Sequence, residues 1–466
     1  MTTPVMAVVG HPNKGKSSIV ATLAENTHVQ ISAVPGTTRS ADHHQLRINN
    51  QPLYDLIDTP GFQRAGKVCN WLKAHEADAS SRPDLVRQFV SIHENDPKYA
   101  DECALLQPII DGAGIIYVVD GSKPYGPEYE FEMEILRWTG QPRMALINMI
   151  GQADYRSAWR QGLGQYFSIV REFNAHKASF DARIALLQGF SEIEESWRAP
   201  LQQATRLLRE ERERQTQQSA EVITQMLISA LSAHAQTNIS DTTPTEAIER
   251  QLRDRLMSSI RRLENRARHE VQRVYRHSDT NFSVSELNVL NTDLFAESSW
   301  QLFGLSKMQL LAAGAVSGAL AGGTLDLLVG GASMFTGSVL GSAVGSLSVW
   351  FAGPELARIK VLGAPLGGKI ATLGPITTAN FPWVLLGRAA LHHALVCERN
   401  HGVRSEVVDQ LDTDDHFFDF LESTARARIE LCFATVRKGK TSRNEELASL
   451  IQSLLQTQSN LTSTST

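Results

Sequence analysis

Residues 8–18 read VVGHPNKGKSS, and this stretch decides the fold of the first third of the chain. The apolar run Val5–Val9 stops at Gly10, and a helical pattern begins at Ser17. A Gly-x4-Gly-Lys-Ser spacing between a strand and a helix is the arrangement that cradles phosphate. Gly10 and Gly15 let backbone N–H groups wrap the phosphate oxygens. Lys16 reaches the β/γ oxygens, the Ser17 hydroxyl ligates Mg²⁺, and the following helix presents its positive end. Lys14 and Ser18, on either side of Gly15-Lys16-Ser17, complete the candidate nucleotide-binding set in this loop.

Two further stretches fit the same chemistry. Residues 54–61, YDLIDTPG, read as a strand with an acid at its C-terminal end and then a tight turn. Open α/β sheets place their ligands at that edge. Asp58 is positioned to hold Mg²⁺ through a water, and the Gly61 N–H to sense a γ-phosphate. Between the two lies Pro35-Gly36-Thr37-Thr38-Arg39, with hydroxyls able to close on the metal.

Taken together, GxPNxGKS, PGTTR and DTPG resemble the Era/TrmE branch of small GTPases (the TrmE-Era-EngA-like group), over roughly residues 5–190. The resemblance implies GTP and GDP as ligands and Mg²⁺ held by Ser17, Thr38 and Asp58. It also implies Lys16, Thr38 and Gly61 as catalytic groups, and a K⁺ ion beside the phosphates held by Asn13. The alternative role for Asn13 is to shape the loop. The whole chain looks most like bacterial GTPases with a C-terminal domain of unknown function, a likeness that assigns that domain no role.

Two departures bear on base and water. The guanine-reading NKxD should follow the strand Arg143–Asn148, but the chain has Asn148-Met149-Ile150-Gly151. Asn148 is kept, while the aspartate that accepts from guanine is not. Asp154 lies three residues late and substitutes only if the loop is reshaped. Losing a bidentate acceptor weakens discrimination between bases. After the run Ile169–Glu172, Ala175 is placed to offer its N–H to the base. The residue after Gly61 is Phe62, whose ring cannot polarise water, so turnover rests on charge from elsewhere, such as K⁺ at Asn13. The expected activity is slow GTP hydrolysis. A nucleotide-binding scaffold with negligible hydrolysis is the alternative.

From Gly61 to the strand Gly114–Asp120 the chain is about twice the length usual for this switch. It carries two helical patterns, at 69–75 and 86–90, and is either an effector surface or a family insertion. His75 and His93 lack partners at metal spacing and read as surface histidines; His392-His393 reads as structural.

Over the whole 466 residues, 42% hydrophobic and 20% charged content describe a globular protein, and a net charge of −5 argues against nucleic-acid binding by global attraction. Cys69, Cys103, Cys397 and Cys432 show no metal spacing and read as ordinary thiols of a reducing compartment. The N-terminus has no basic flank and reads as a strand, which places the protein in the cytoplasm.

The fold expected is an α/β P-loop G domain, a mostly parallel sheet flanked by helices, followed by a mainly α-helical region. The division expected is a G domain over 1–195, charged amphipathic helices over 196–300, a glycine-zipper apolar hairpin over 301–360, and a mixed helical part with a polar, fraying tail over 361–466. Residues 178–236 read as near-continuous helix. After Pro244, Ile248, Leu252, Leu256, Ile260, Leu263, Ala267, Val271 and Val274 form an apolar stripe, with arginines crowding the other faces. Such a helix is a solvated bundle face, or it suits an anionic membrane or RNA phosphates. Residues 308–325 and 327–354 carry no charge, and Gly314, Gly318, Gly322 and then Gly337, Gly341, Gly345 recur every four residues. They read as a hairpin in or at the inner membrane, or as a buried soluble hairpin. The partners that follow are the anionic inner membrane or a membrane protein, with RNA or the ribosome as the alternative. A homodimer through the G domain or the glycine-zipper helices is a further possibility.

Overall fold

The computed structural model describes residues 3–24, 42–48, 51–76, 78–175, 178–239, 245–275, 292–306, 308–310, 312–313, 360–363, 369–397 and 417–464. The chain divides into two compact units, one running through Glu213 and the other from Arg214.

In the first unit, a six-stranded sheet has the order β2-β3-β1-β4-β5-β6. The strands are β1 (Val5–Val9), β2 (Asp42–Ile48), β3 (Gln51–Asp58), β4 (Gly114–Asp120), β5 (Arg143–Asn148) and β6 (Ile169–Glu172). All pairs are parallel except β2 with β3, which are antiparallel. The inner strands are apolar almost throughout because both faces of the sheet are covered. Alternation then sorts their side chains. Ala7, Val9, Ile115, Tyr117, Val119, Ala145 and Ile147 enter one core. Met6, Val8, Leu56, Ile116, Val118, Met144 and Leu146 enter the other.

The first core is closed by α2 (Ala65–His75), α3 (Arg82–His93), α4 (Ala100–Ile110), α5 (Glu128–Trp138) and α6 (Arg156–Leu163). The long segment after Gly61 is therefore a set of three helices packed onto the sheet, with Val68, Leu72, Val86, Phe89, Leu105 and Leu106 buried. The second core is closed by α1 (Lys16–Ala24), α7 (Phe180–Ile193) and the start of α8 (Glu195–Leu231). The near-continuous helix expected over 178–236 is in fact two helices and then a strand. The backbone at Glu194 is extended, and α8 stops at Leu231, after which 235–239 form a strand.

The second unit holds the rest of α8, α9 (Thr245–Val274), α10 (Glu297–Phe303), α11 (Phe381–Cys397), α12 (Ser423–Arg437) and α13 (Asn444–Thr464). A small antiparallel sheet, β7 (Ala235–Ile239), β9 (Lys369–Leu373) and β8 (Lys360–Gly363), accompanies them. The stripe of α9 enters this core as expected: Ile248, Leu252, Leu256, Ile260, Ala267 and Val271 are buried. The apolar helix α11 is buried at every residue but Leu395. The tail expected to fray is helical through Thr464, because Leu447, Ile451, Leu454 and Leu455 pack into the same core.

Among the described residues no helix is long and apolar enough to cross a membrane. The glycine-zipper runs expected as a hairpin lie outside the described residues, apart from 308–310 and 312–313.

Candidate GTPase site

The loop after β1 lies where the chain order of the sheet reverses, between β3 and β4, which is where open α/β sheets bind ligands. Asn13 stands at φ +60°, and among the described residues it is the one non-glycine with a positive φ. Asparagine tolerates that left-handed geometry better than most residues. Gly15 has φ +83°, and a Cβ there would lie 2.4 Å from Asn148 Nδ2. The Lys16 ammonium folds back across the loop and donates to Gly10 O (3.3 Å) and His11 O (3.2 Å). Burial pushes the Lys16 pKa below its ordinary value, while Asp58 and Glu132 pull it the other way. Ser18 is half-buried in the first turn of α1.

Parallel pairing sets Val8 beside Asp58, so the ends of β1 and β3 come together. The Ser17 hydroxyl donates to Asp58 Oδ2 at 2.6 Å. A hydroxyl and a carboxylate at that separation form a hard-oxygen pair of the kind Mg²⁺ takes. Asp58, expected from the stretch 54–61, and Ser17 and Lys16, expected from the loop, are thus brought to one point. Downstream, the Thr59 hydroxyl donates to Val8 O (2.8 Å), and the Phe62 N–H donates to Gly10 O (3.3 Å). A Cβ on Gly61 would lie 2.6 Å from Pro12 N and 2.7 Å from Pro12 Cδ, so the DTPG turn lies directly against Pro12 of the loop. Thr38 and the rest of 35–39 lie outside the described residues.

At the other end of the loop, Asn148 is fully buried. Its Nδ2 donates to Lys14 O (3.2 Å), and its Oδ1 accepts the Ala175 N–H (3.2 Å). Asn148 therefore ties the phosphate loop to the segment after β6. The Ala175 amide, expected to face the base, donates to Asn148 in this structure.

The family model described as "Domain of unknown function (DUF3482)" matches residues 160–458. This chain belongs to that family. It also matches, over residues 5–149, the model described as "50S ribosome-binding GTPase". Its first unit is a GTP-binding P-loop GTPase domain of the Era-like kind. Among curated proteins it is similar to GTPase Der of Mycoplasma pneumoniae, 45% identical over 67 residues, covering 14% of this chain and 15% of that one. GTPase Der of Cupriavidus metallidurans is 26% identical over 170 residues, covering 36% of this chain and 32% of that one. The chain thus spans a third or less of the length of these relatives. Among solved structures, a variant of Aquifex aeolicus Era bound to GDP and AlF4⁻ aligns at 15% identity over 53% of this chain and 75% of that one, with a TM-score of 0.27. The G domain of the T. maritima FeoB iron transporter aligns at 18% identity over 41% of this chain and 99% of that one, with a TM-score of 0.24.

The base end of the site lacks its acid. Gly151 occupies the position where the aspartate of NKxD is expected, and a Cβ there would lie 2.9 Å from Ser122 Oγ. The Ser122 hydroxyl donates to Asp120 Oδ1 at 2.6 Å. Asp154 is not available as a substitute in this arrangement. Arg156 donates to both of its oxygens (2.9 and 2.7 Å) and holds its pKa down to about 2, while Arg156 and Arg160 also pair with Glu172.

Behind the loop stands a buried network that sequence reasoning missed. Glu132 of α5, 2% exposed, accepts from Tyr117 OH (2.9 Å) and pairs with His11 Nδ1 (2.8 Å). Burial, then Glu132, pushes the Tyr117 pKa well above its ordinary value. Lys14 lies over the Tyr129 ring at 5.6 Å. Glu132 is one of four glutamates that alternate through 128–134, and no spacing rule in that run singles it out toward the loop. Phe62, read as a residue unable to position water, is 1% exposed and belongs to the core. His75 and His93 stack on Trp71 and Phe89 (4.1 and 4.4 Å) in the inserted helices, and no group of three or more metal-ligating side chains occurs among the described residues.

Proposed function

We propose that this chain binds GTP with Mg²⁺, hydrolyses it slowly to GDP and phosphate, and acts as a molecular switch whose helical half works at an anionic inner-membrane surface. The observation that carries the switch is the Ser17–Asp58 pair at 2.6 Å beside Lys16. In this reading Gly10, Lys14, Gly15, Lys16, Ser17 and Ser18 bind the phosphates. Ser17, Asp58 and Thr38 hold the Mg²⁺, which neutralises phosphate charge. Gly61 contacts the γ-phosphate, and its packing against Pro12 supports that role. Because Phe62 is buried in the core, K⁺ at Asn13 supplies the positive charge that an arginine provides elsewhere.

The membrane part rests on the exposed face of α9, where Arg255, Arg262 and Arg266 lie on one side, and on the uncharged runs 308–325 and 327–354. The same arginines favour a second reading, RNA or the ribosome, which the description of the matched GTPase family also supports.

Single-turnover assays with GTP, Mg²⁺ and either K⁺ or Na⁺ test the switch. Slow turnover that Asp58→Asn abolishes is expected, and no GTP binding by the wild type in Mg²⁺ refutes it. Flotation with vesicles containing phosphatidylglycerol, set against ribosome co-sedimentation, separates the two outputs.

A further inference from the structure

The three helices that follow Gly61 do more than cover the sheet. Glu102, on the inserted helix α4, is fully buried. Its Oε1 accepts the backbone N–H of Gln63 (3.0 Å) and of Arg64 (2.6 Å), the two residues after Phe62. The Arg64 guanidinium also donates to Lys98 O, in the turn leading into α4. Arg64 is the N-cap of α2 and provides no side-chain cap of its own. Glu102 therefore accepts the N-cap N–H of α2 from 38 residues away, as the glutamate of a capping box does locally, and it adds negative charge at the positive end of α2.

Burying this carboxylate is costly, and its Oε2 has no hydrogen-bond partner among the described residues. An arrangement kept at that cost points to what it holds in place. The chain between DTPG and α2 is anchored twice: Phe62 N–H to Gly10 O on the phosphate loop, and Gln63 and Arg64 to Glu102. Gly61 lies immediately before these anchors, against Pro12.

We infer that Glu102 is a positioning residue that holds the start of α2 so that the Gly61 amide is preset beside the phosphate loop, where only a triphosphate reaches it. The inserted helices are then an internal brace on the nucleotide sensor. This inference rests on the GTP reading above. Diphosphate binding depends on the loop itself, so the brace selects for the γ-phosphate.

The test measures affinities of the full-length wild type, Glu102→Ala and Glu102→Gln for fluorescent guanylyl imidodiphosphate and fluorescent GDP in Mg²⁺. Glu102→Ala should weaken the triphosphate analogue by about tenfold, the size of one net hydrogen bond to a charged group, and leave GDP within about twofold. Glu102→Gln keeps an acceptor oxygen and should restore most of the triphosphate affinity. Equal losses for both nucleotides in Glu102→Ala, or no loss for either, overturn the brace. If Glu102→Ala does not fold, Glu102→Asp, whose shorter side chain draws the carboxylate back from the Gln63 and Arg64 amides, replaces it: loss of the imide alone supports the brace, and equal losses or no loss overturn it. A wild type that binds neither nucleotide refutes the GTP reading itself, a distinguishable result.

Discussion

Asn13 carries two separable roles, and substitution at this one position tells them apart. At φ +60° an alanine pays the left-handed penalty of about 1–2 kcal/mol, which is roughly a 5–30-fold factor in an equilibrium. The loop escapes that cost by relaxing, so Asn13→Ala must restore the cradle whenever nucleotide binds, and GDP affinity should fall by about that factor. Glycine adopts positive φ without steric cost, so Asn13→Gly should bind GDP within a few-fold of wild type. Neither variant has a side-chain oxygen to offer a cation. Single-turnover GTP hydrolysis in KCl against NaCl then reads the second role. Wild type should be faster in KCl, and Asn13→Gly should be slow and equal in both salts. Calorimetry with GDP supplies the affinities on the same preparations. Asn13→Gly that keeps its K⁺ stimulation refutes the ion-ligand role and leaves Asn13 as a loop-shaping residue. Asn13→Ala with wild-type GDP affinity refutes the backbone argument.

Asn148→Ala leaves the Lys14 carbonyl and the Ala175 N–H without their partner, and should lower the stability of the first unit by about 2–4 kcal/mol in urea unfolding. With Gly151 in the position of the base-reading acid, GTP and ITP, which differ only in the exocyclic amine, should bind within about twofold in competition assays; Gly151→Asp, after Ser122 rotates away, should favour GTP. His392, buried beside Gln272, has its pKa lowered to about 3, first by burial and then by Arg268 and His269. Its folded pKa lies below its unfolded value near 6.5. The stability it contributes is therefore present above pH 6.5 and lost as pH falls toward 3, at up to about 1.4 kcal/mol per pH unit. Urea midpoints of His392→Gln between pH 7 and 5 should fall less steeply than those of wild type.

The first unit was largely legible because its signals are local. Strands β1, β4 and β5 follow apolar runs that a buried parallel sheet requires, and the loop glycines, Lys16 and Ser17 are held by short-range backbone demands. The second unit was legible where a helix has one wet face: the stripe of α9 enters the core as read. It was illegible where wetness gives no contrast. α11 is buried all round, so its length and role come only from the helices around it. The break at Glu194 and the helical tail through Thr464 likewise depend on packing against other elements.

By itself the sequence determined the phosphate end of the site, because Gly10, Gly15, Lys16, Ser17 and Asp58 act through spacing along one strand–loop–helix and one strand end. Only the tertiary structure decided what those residues lean on. Asn148 reaches Lys14 across 134 positions, Glu132 reaches His11 across 121, and Glu102 reaches Arg64 across 38. A hydrogen bond forms between groups that are close in space, and no periodicity in the chain encodes that closeness. The Ala175 amide shows the consequence: its place after β6 is legible in the chain, and its partner Asn148, 27 positions away, is not.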